Sequence, residues 1–386
     1  MSTNLEKLQS DLEQRRTESL YRTRLVVDSP QGPEIRIEGK NYLSFCSNDY
    51  LGLANHPKVI EGLANGARRY GVGSGAAHLV TGHSTPHHAL EEALAEFTGY
   101  PRALLFSTGY MANLGVISSL VDRGDSVFED RLNHASLLDG ALLSGARLKR
   151  YPHVDMQSLD RRLGESKSAG KLIVTDGVFS MDGDIAPLES LTEIAKRHQA
   201  GLMIDDAHGF GVLGEQGRGT LEHFNNQIEE APILMCTLGK ALGTFGAFVA
   251  ADEIIIETLI QKARSYIYTT ALPPAIAQAT LMSLKLIKEE GWRRQHLAEL
   301  ITYFHTSAEQ LNLPLLPSHT PIQPVIIGES NRAISIAMAL RDKGIVISAI
   351  RPPTVPLGSA RLRITLSASH TKEHIDRLLQ ALSEVA

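Results

Sequence analysis

Between residues 103 and 252 short apolar stretches alternate with longer helical ones. The apolar stretches are ALLFS (103–107), SVFED (126–130), KLIVTDG (171–177), GLMIDDA (201–207), PILMCTLG (232–239) and GAFVAAD (246–252). Several are apolar at consecutive positions, so both faces of the strand need cover. That suits a central sheet with helices on each side. Strands that alternate with helices build a mostly parallel sheet, and the pattern predicts an α/β fold.

The flanking sequence extends this frame. Leu5, Leu8 and Leu12 recur at helical spacing and predict an opening amphipathic helix. EIRIEGKNYLSF then alternates like a short hairpin. STPHHALEEALAEFTGYP reads as a helix capped by Thr85, with Pro86 in its first turn and Leu90, Leu94 and Phe97 on one face. Gly99 and Pro101 end it. A long helical connection starts near EEGWRRQHLAEL (289–300). Beyond it come strand IQPVIIG, helix NRAISIAMALRDKG, strands IVISAI and RLRITLS, and a last helix with Ile375, Leu378, Leu379 and Leu382 on one face. The expected organisation is an N-terminal helix and hairpin segment (1–45), a large domain (46–289) and a smaller C-terminal α/β domain (290–386).

Composition narrows the functional classes. The 386 residues are 43% hydrophobic and 21% charged, ordinary for a soluble globular protein. Net charge is −5 with both signs mixed throughout, so no nucleic-acid footprint is expected. Two cysteines, Cys46 and Cys236, lie far apart in apolar segments, which fits a reducing compartment. The N-terminus has no apolar core and carries Glu6, Asp11, Glu13 and Glu18, unlike a signal or transit peptide. No apolar run approaches ~18 residues, so no membrane span is expected and the expected address is the cytoplasm.

Ligands of open α/β sheets bind beyond the carboxyl ends of the strands. Four polar features fall there. FSTGYMAN (106–113) opens a helix whose first amides, at Gly109 and Tyr110, offer an anion site. DDAHG (205–209) brings two carboxylates and His208, DGVFSMDGD (176–184) brings Ser180, and TLGK brings Thr237 and Lys240. A lysine ending a buried strand tends to shed its proton, and a neutral amine is a nucleophile. A phosphate cradle, a buried carboxylate, hydrogen-bonding side chains and such an amine together match the needs of pyridoxal 5′-phosphate.

The whole chain resembles the α-oxoamine synthases among the fold-type I pyridoxal-phosphate enzymes. The likeness is carried by SNDYLGLANHP, GSGAAHLVTG, HHALEEALAEF, DRLNHASLLDG, DGVFSMDGDIAPL, DDAHGFGVLGEQGRG, TLGKALG and IRPPTVPLGSARLRITLSASHT. It implies that Lys240 holds the cofactor aldehyde and later moves the substrate's Cα proton, and that Asp205 faces the pyridinium nitrogen. His134 would stack on the ring, Ser180 and His208 would bond around its hydroxyl, and Thr237 with the amides of Gly109 and Tyr110 would hold the phosphate. Arg351 would bind the amino-acid carboxylate with Asn48 beside it, and Arg22 and Thr354 would touch the acyl substrate or product. The resemblance further implies a homodimer in which Thr269 and Thr270 reach the phosphate of the neighbouring chain. Its members that join L-alanine to a pimeloyl-thioester, carried on CoA or on an acyl carrier protein, are most alike around IRPPTVP. Members that join glycine to acetyl-CoA are the alternative.

Other features have plainer readings. His87 and His88 fall in a first helical turn, point to different faces and read, with His83, as packing or surface histidines. DDAH could bind a metal, but no second His or Cys cluster has ligand spacing, so no metal is expected. GVGSG (71–75) lacks the register of a dinucleotide fingerprint. YIYTTALPP (266–274) reads as a connection, where the threonines could instead cap the following helix.

Overall fold

The computed structural model describes residues 2–225 and 233–385. Pro232, the expected first residue of one strand, lies outside them. The chain divides into two compact units. Asn48–Ser180 and Asp184–His296 form the larger; the smaller takes the residues up to Ser47, Met181–Gly183 and those from Leu297 on.

The chain opens with α1 (Ser2–Thr17) and an antiparallel hairpin of β1 (Glu34–Ile37) and β2 (Lys40–Ser44). Glu38 (φ 51°) and Gly39 (φ 76°) between the strands are both left-handed, and this turn's twist matches that of a hairpin. The larger unit follows with α2 (Pro57–Tyr70), α3 (Thr85–Thr98), β3 (Arg102–Phe106), α4 (Gly109–Leu120), β4 (Ser126–Asp130) and α5 (Ala135–Ser144). It continues through β5 (Arg147–Tyr151), α6 (Met156–Gly164), β6 (Lys171–Asp176), α7 (Leu188–His198), β7 (Gly201–Asp205) and α8 (Thr220–His223). β8 (Ile233–Thr237), β9 (Ala247–Ala251), α9 (Glu253–Lys262), α10 (Arg264–Ile267) and α11 (Pro274–Glu289) complete its sheet and cover. α12 (Trp292–Gln310) starts in the larger unit and ends in the smaller. The smaller unit then adds β10 (Ile322–Gly328), α13 (Ser330–Asp342), β11 (Ile345–Val346), β12 (Ser348–Ile350), β13 (Ala360–Thr365) and α14 (Lys372–Val385).

Among the described residues the larger unit holds a seven-stranded sheet in the order β3-β9-β8-β7-β6-β4-β5. Neighbours from β8 to β5 pair in parallel, and β9 runs against both β8 and β3. β5 was not expected, because RLKRY carries three basic residues. It is one of the two edge strands, and its lysine and arginines keep an open hydrogen-bonding edge in water.

Strand side chains alternate between faces, so residues two apart share one. Leu172 and Val174 of β6, Met203 of β7, and Ile233 and Met235 of β8 pack in one core with Val116 and Ile117 of α4 and Leu137 of α5. Continuing each strand by two residues on that face gives Asp176, Asp205 and Thr237. The core face thus ends in polar groups at the carboxyl edge.

Three local expectations change. The cap of α3 is Ser84, whose N–H donates to His87 Nδ1 at 3.0 Å; Thr85 is the first helical residue. The His87 ring is what selects Ser84, because a reciprocal cap joins residues three apart. IVISAI is two strands in two sheets: β11 pairs in parallel with β2, and β12 pairs antiparallel with β13, the partner changing at Ile347. In YIYTTALPP, Tyr266 and Ile267 finish α10, and the rest is a connection as expected. Pro273 occupies the cap position of α11, so the threonines do not cap it. Among the described residues no helix is long and apolar enough to cross a membrane.

Candidate active site

The carboxyl ends of β6, β7 and β8 and the start of α4 enclose a cavity of about 180 Å³ in the larger unit. Gly109, Tyr110, His134, Ser180, Asp205, His208, Thr237 and Lys240 line it, as do Asn113, Ser136, Asp176 and Met235. Eight residues singled out in the sequence are therefore brought together.

Asp205 ends β7 facing α4, and both its oxygens are engaged. Asn113 Nδ2 donates to Oδ2 at 2.7 Å, and the Ala207 N–H donates to Oδ1 at 3.1 Å. Asp206, next in sequence, takes the opposite parity. Its Oδ2 accepts the Thr220 N–H at 2.8 Å, and a Cβ at Gly209 or Gly219 would overlap its carboxylate. Burial pushes Asp206 up to about 7. Of the pair, the first faces the cavity and the second organises a loop.

Asp176 is the direct cross-strand neighbour of Asp205. Burial, reinforced by the charge of Asp205, holds the Asp176 carboxyl well above the usual range. Its Oδ2 accepts the His134 N–H at 3.0 Å. His134 caps α5, with Nδ1 2.7 Å from Ser136 Oγ. Burial pulls its imidazole below the ordinary range, against the opposing pull of Asp205. A neutral, edge-anchored imidazole presents a flat face.

Lys240 follows β8, and its Nζ lies 2.7 Å from His208 Nε2. On the far side of that ring, Nδ1 lies 2.6 Å from the hydroxyl of Tyr50, whose one proton goes either to Nδ1 or to Asn48 Oδ1 at 3.3 Å. Tyr50 is fully buried. A chain of polar atoms thus runs from Asn48 through Tyr50 and His208 to the amine.

The segment FSTGYMAN opens a helix at Gly109, as the sequence predicts. Thr108 caps α4, its Oγ1 accepting the Met111 N–H at 3.2 Å, and the preceding amides of Gly109 and Tyr110 have no partner within the helix. Thr237 Oγ1 meanwhile donates to Gly246 O at 3.1 Å. Thr269 and Thr270 lie on the connection after α10 and are absent from the lining of their own chain's cavity. Arg22, Arg351 and Thr354 belong to the smaller unit, where they line a cavity of about 700 Å³. Arg22 Nη2 donates to Thr354 Oγ1 at 3.5 Å, and Arg351 Nη1 donates to Ser19 O.

Tyr50, Asn113, Ser136 and Asp176 were not foreseen as site residues. Asn113 carried a signal: an asparagine in a helix interior is unfavourable unless its amide has work to do. Its Oδ1 is buried without a hydrogen-bond partner among the described residues.

The residues present fit pyridoxal 5′-phosphate. The amides opening α4 suit a phosphate, the doubly hydrogen-bonded Asp205 suits a protonated ring nitrogen, and the Lys240 amine suits an aldehyde. Known proteins agree. The family model of aminotransferase class I and II matches residues 40–382. An 8-amino-7-oxononanoate synthase of Stutzerimonas stutzeri (strain A1501) is 62% identical over 377 residues, 98% of this chain and 96% of that one. A solved serine palmitoyltransferase from S. paucimobilis, with PLP–myriocin bound, has a TM-score of 0.93 at 30% identity over 99% of this chain and 97% of that one. The 8-amino-7-oxononanoate synthase of Francisella tularensis has a TM-score of 0.78 at 36% identity over 89% and 97%. The chain therefore belongs to the aminotransferase class I and II family, in its pyridoxal-phosphate-dependent α-oxoamine synthase branch.

Proposed function

We propose that this enzyme condenses L-alanine with a pimeloyl-thioester, releasing CO2 and the free thiol carrier and forming 8-amino-7-oxononanoate for biotin synthesis. The observation that carries the reading is one cavity gathering Lys240, His208, Asp205 and His134, in a chain 62% identical to an enzyme of that name. The fold alone is neutral about the acyl chain, since the palmitoyltransferase has the higher TM-score, 0.93 against 0.78. Sequence identity therefore favours the pimeloyl substrate. The smaller unit's cavity supports it: Leu25, Val27, Ile35 and Ile37 offer apolar wall for methylenes, and Arg22 offers a cation for a terminal carboxylate.

Bound pyridoxal 5′-phosphate supplies an aldehyde and an electron-accepting ring. The chain's own residues do the rest. Lys240 would hold the aldehyde and then take the Cα proton of alanine on Nζ. His208 serves either protonation state of that amine: Nε2–H donates to a free amine while Nδ1 accepts from Tyr50, and the other tautomer reverses both bonds. Asp205, held ready by Asn113 and the Ala207 amide, accepts the ring N–H. His134 would pack its flat face on the ring, Ser180 and His208 would bond to the ring hydroxyl, and Thr237, Gly109 and Tyr110 would hold the phosphate. Arg351 would fix the alanine carboxylate with its planar fork, which orients the bond that breaks, and Asn48 would bind the same substrate. Arg22 and Thr354 hold the acyl part.

The enzyme works in the cytoplasm as a homodimer with shared sites. Thr269 and Thr270 stand outside their own chain's cavity and reach the neighbour's phosphate. Leu5, Leu8, Val80 and Tyr268 are more than half exposed, apolar surface that a second copy would cover. Both cysteines are free, as a reducing compartment requires. The test is product analysis of the purified holoenzyme with paired substrates. Alanine with pimeloyl-CoA should give 8-amino-7-oxononanoate at a kcat/KM far above that of glycine with acetyl-CoA; an equal or reversed preference overturns the assignment.

A further inference from the structure

The segment between α2 and α3 gathers four histidines, away from the lining of the cavity just described. His78 and His83 bracket a π-helical turn (His78–Gly82), and His87 and His88 open α3. His87 turns inward, its Nε2 against Leu272 O, while His88 stays exposed. The turn brings His83, from before the helix, back onto His88 and Glu91. One donor atom from each of these three lies within 4.8 Å of the others. No metal is expected here from sequence, where His87 and His88 point to different faces; that pattern shows neither the return of His83 onto His88 nor the contribution of Glu91.

We propose that His83, His88 and Glu91 form a binding site for a divalent transition-metal ion of the zinc class. The donor set is two imidazole nitrogens and one carboxylate oxygen, which leaves positions for water and suits Zn²⁺, Co²⁺ or Ni²⁺. Bonds of about 2.0–2.2 Å require donor atoms roughly 3–4 Å apart. His83 Nε2 already lies 3.8 Å from Glu91 Oε2, too long for a hydrogen bond and suited to a shared ion. The remaining ligand, His88, is the exposed one and closes the site by a rotamer change. Its Nε2 now lies 3.4 Å from Glu92 Oε1, a neighbouring carboxylate available as a further oxygen donor.

Partners behind the ligands hold them in place. Glu91 Oε1 accepts the Leu105 N–H at 2.9 Å, which leaves Oε2 facing the site. His83 Nδ1 lies 3.0 Å from His78 Nδ1. With His83 as the donor in that bond, its Nε2 keeps the lone pair that a metal needs. His78 is itself fixed, stacked on the ring of Tyr266 at 5.0 Å and 11°. Such outer partners set the orientation and basicity of a ligating imidazole.

Tag-free holoenzyme, stripped with EDTA, is titrated with Zn²⁺ alone and with Co²⁺ alone. One ion per chain should bind, and the Co²⁺ form should show visible d–d absorption. His88→Ala, a change at an exposed position, should weaken binding at least about tenfold and abolish the rise in Tm that Zn²⁺ gives the parent. His78→Phe keeps a ring against Tyr266 but removes the outer hydrogen bond, and should lower affinity about 10- to 100-fold with every ligand intact. His223→Ala, at an exposed histidine of α8, should change nothing. Absence of binding, or unchanged affinity in His88→Ala, overturns the proposal.

Discussion

Tyr50→Phe removes one oxygen from a fully buried side chain and leaves its ring volume in place. The lost contacts are the 2.6 Å bond to His208 Nδ1 and the 3.3 Å bond to Asn48 Oδ1. Breaking one partner of a buried hydrogen bond costs about 1–3 kcal/mol. Where that cost falls depends on what the bond does. A hydroxyl can both donate and accept, so Tyr50 satisfies either tautomer of His208, and His208 in turn satisfies either protonation state of the Lys240 amine at 2.7 Å. Phenylalanine satisfies neither tautomer. The penalty then appears while Lys240 carries or releases the Cα proton, and 1–3 kcal/mol on that step is about 5- to 150-fold in kcat. KM for alanine should move far less, since Tyr50 does not line the cavity. The assay is kcat against pH with alanine and pimeloyl-CoA, with α-proton exchange of alanine measured in parallel. Both rates should fall together, and the pH profile should shift. An unchanged profile in Tyr50→Phe, with only a lower Tm, would show that the hydroxyl is structural and refute the coupled chain.

Three further outcomes are expected. Lys240→Ala should fold and lose turnover, and borohydride reduction of the parent followed by peptide mapping should place the pyridoxyl group on Lys240 and on no other lysine. Glu129 is buried with neither carboxyl oxygen hydrogen-bonded, and burial pushes it from 4.5 up to about 7. The folded state therefore binds the proton more tightly, and stability falls as pH rises from 4.5 towards 7 and stays lost above it. Glu129→Gln should consequently gain on the parent by up to about 3 kcal/mol more at pH 8 than at pH 4, and a Tm difference independent of pH would refute this. Mixed dimers of Lys240→Ala with Thr269→Ala/Thr270→Ala should regain one fully native site and an activity neither parent shows; an activity equal to the parents' average places the threonines in their own chain's site.

The elements legible in the sequence were those whose physics is local. Buried parallel strands must be apolar on both faces, and KLIVTD, GLMID and ILMCT announced β6, β7 and β8 for that reason. The edge strand β5 pays no such toll and reads as a basic loop. The division of IVISAI was hidden for a different reason. Its first half pairs with β2, some three hundred positions earlier, and no local pattern encodes a partner at that distance. Tyr50 was missed likewise, since its partner His208 lies 158 positions away. The two aspartates of DDAH were separable from sequence alone. The resemblance assigned Asp205, yet strand parity gives the same residue without it: Met203 is core, so Asp205 shares its face and Asp206 does not. The same step applied to β6 carries Leu172 and Val174 to Asp176, which would have placed two carboxyls side by side at the sheet's edge. Two neighbouring buried carboxyls repel each other when both are charged, so hydrogen-bond donors are needed beside them. Asn113, one helical turn after Gly109 at the start of α4, donates to Asp205 Oδ2 at 2.7 Å. Parity and charge together therefore lead from three strand sequences to the residue that composition and motif left unread.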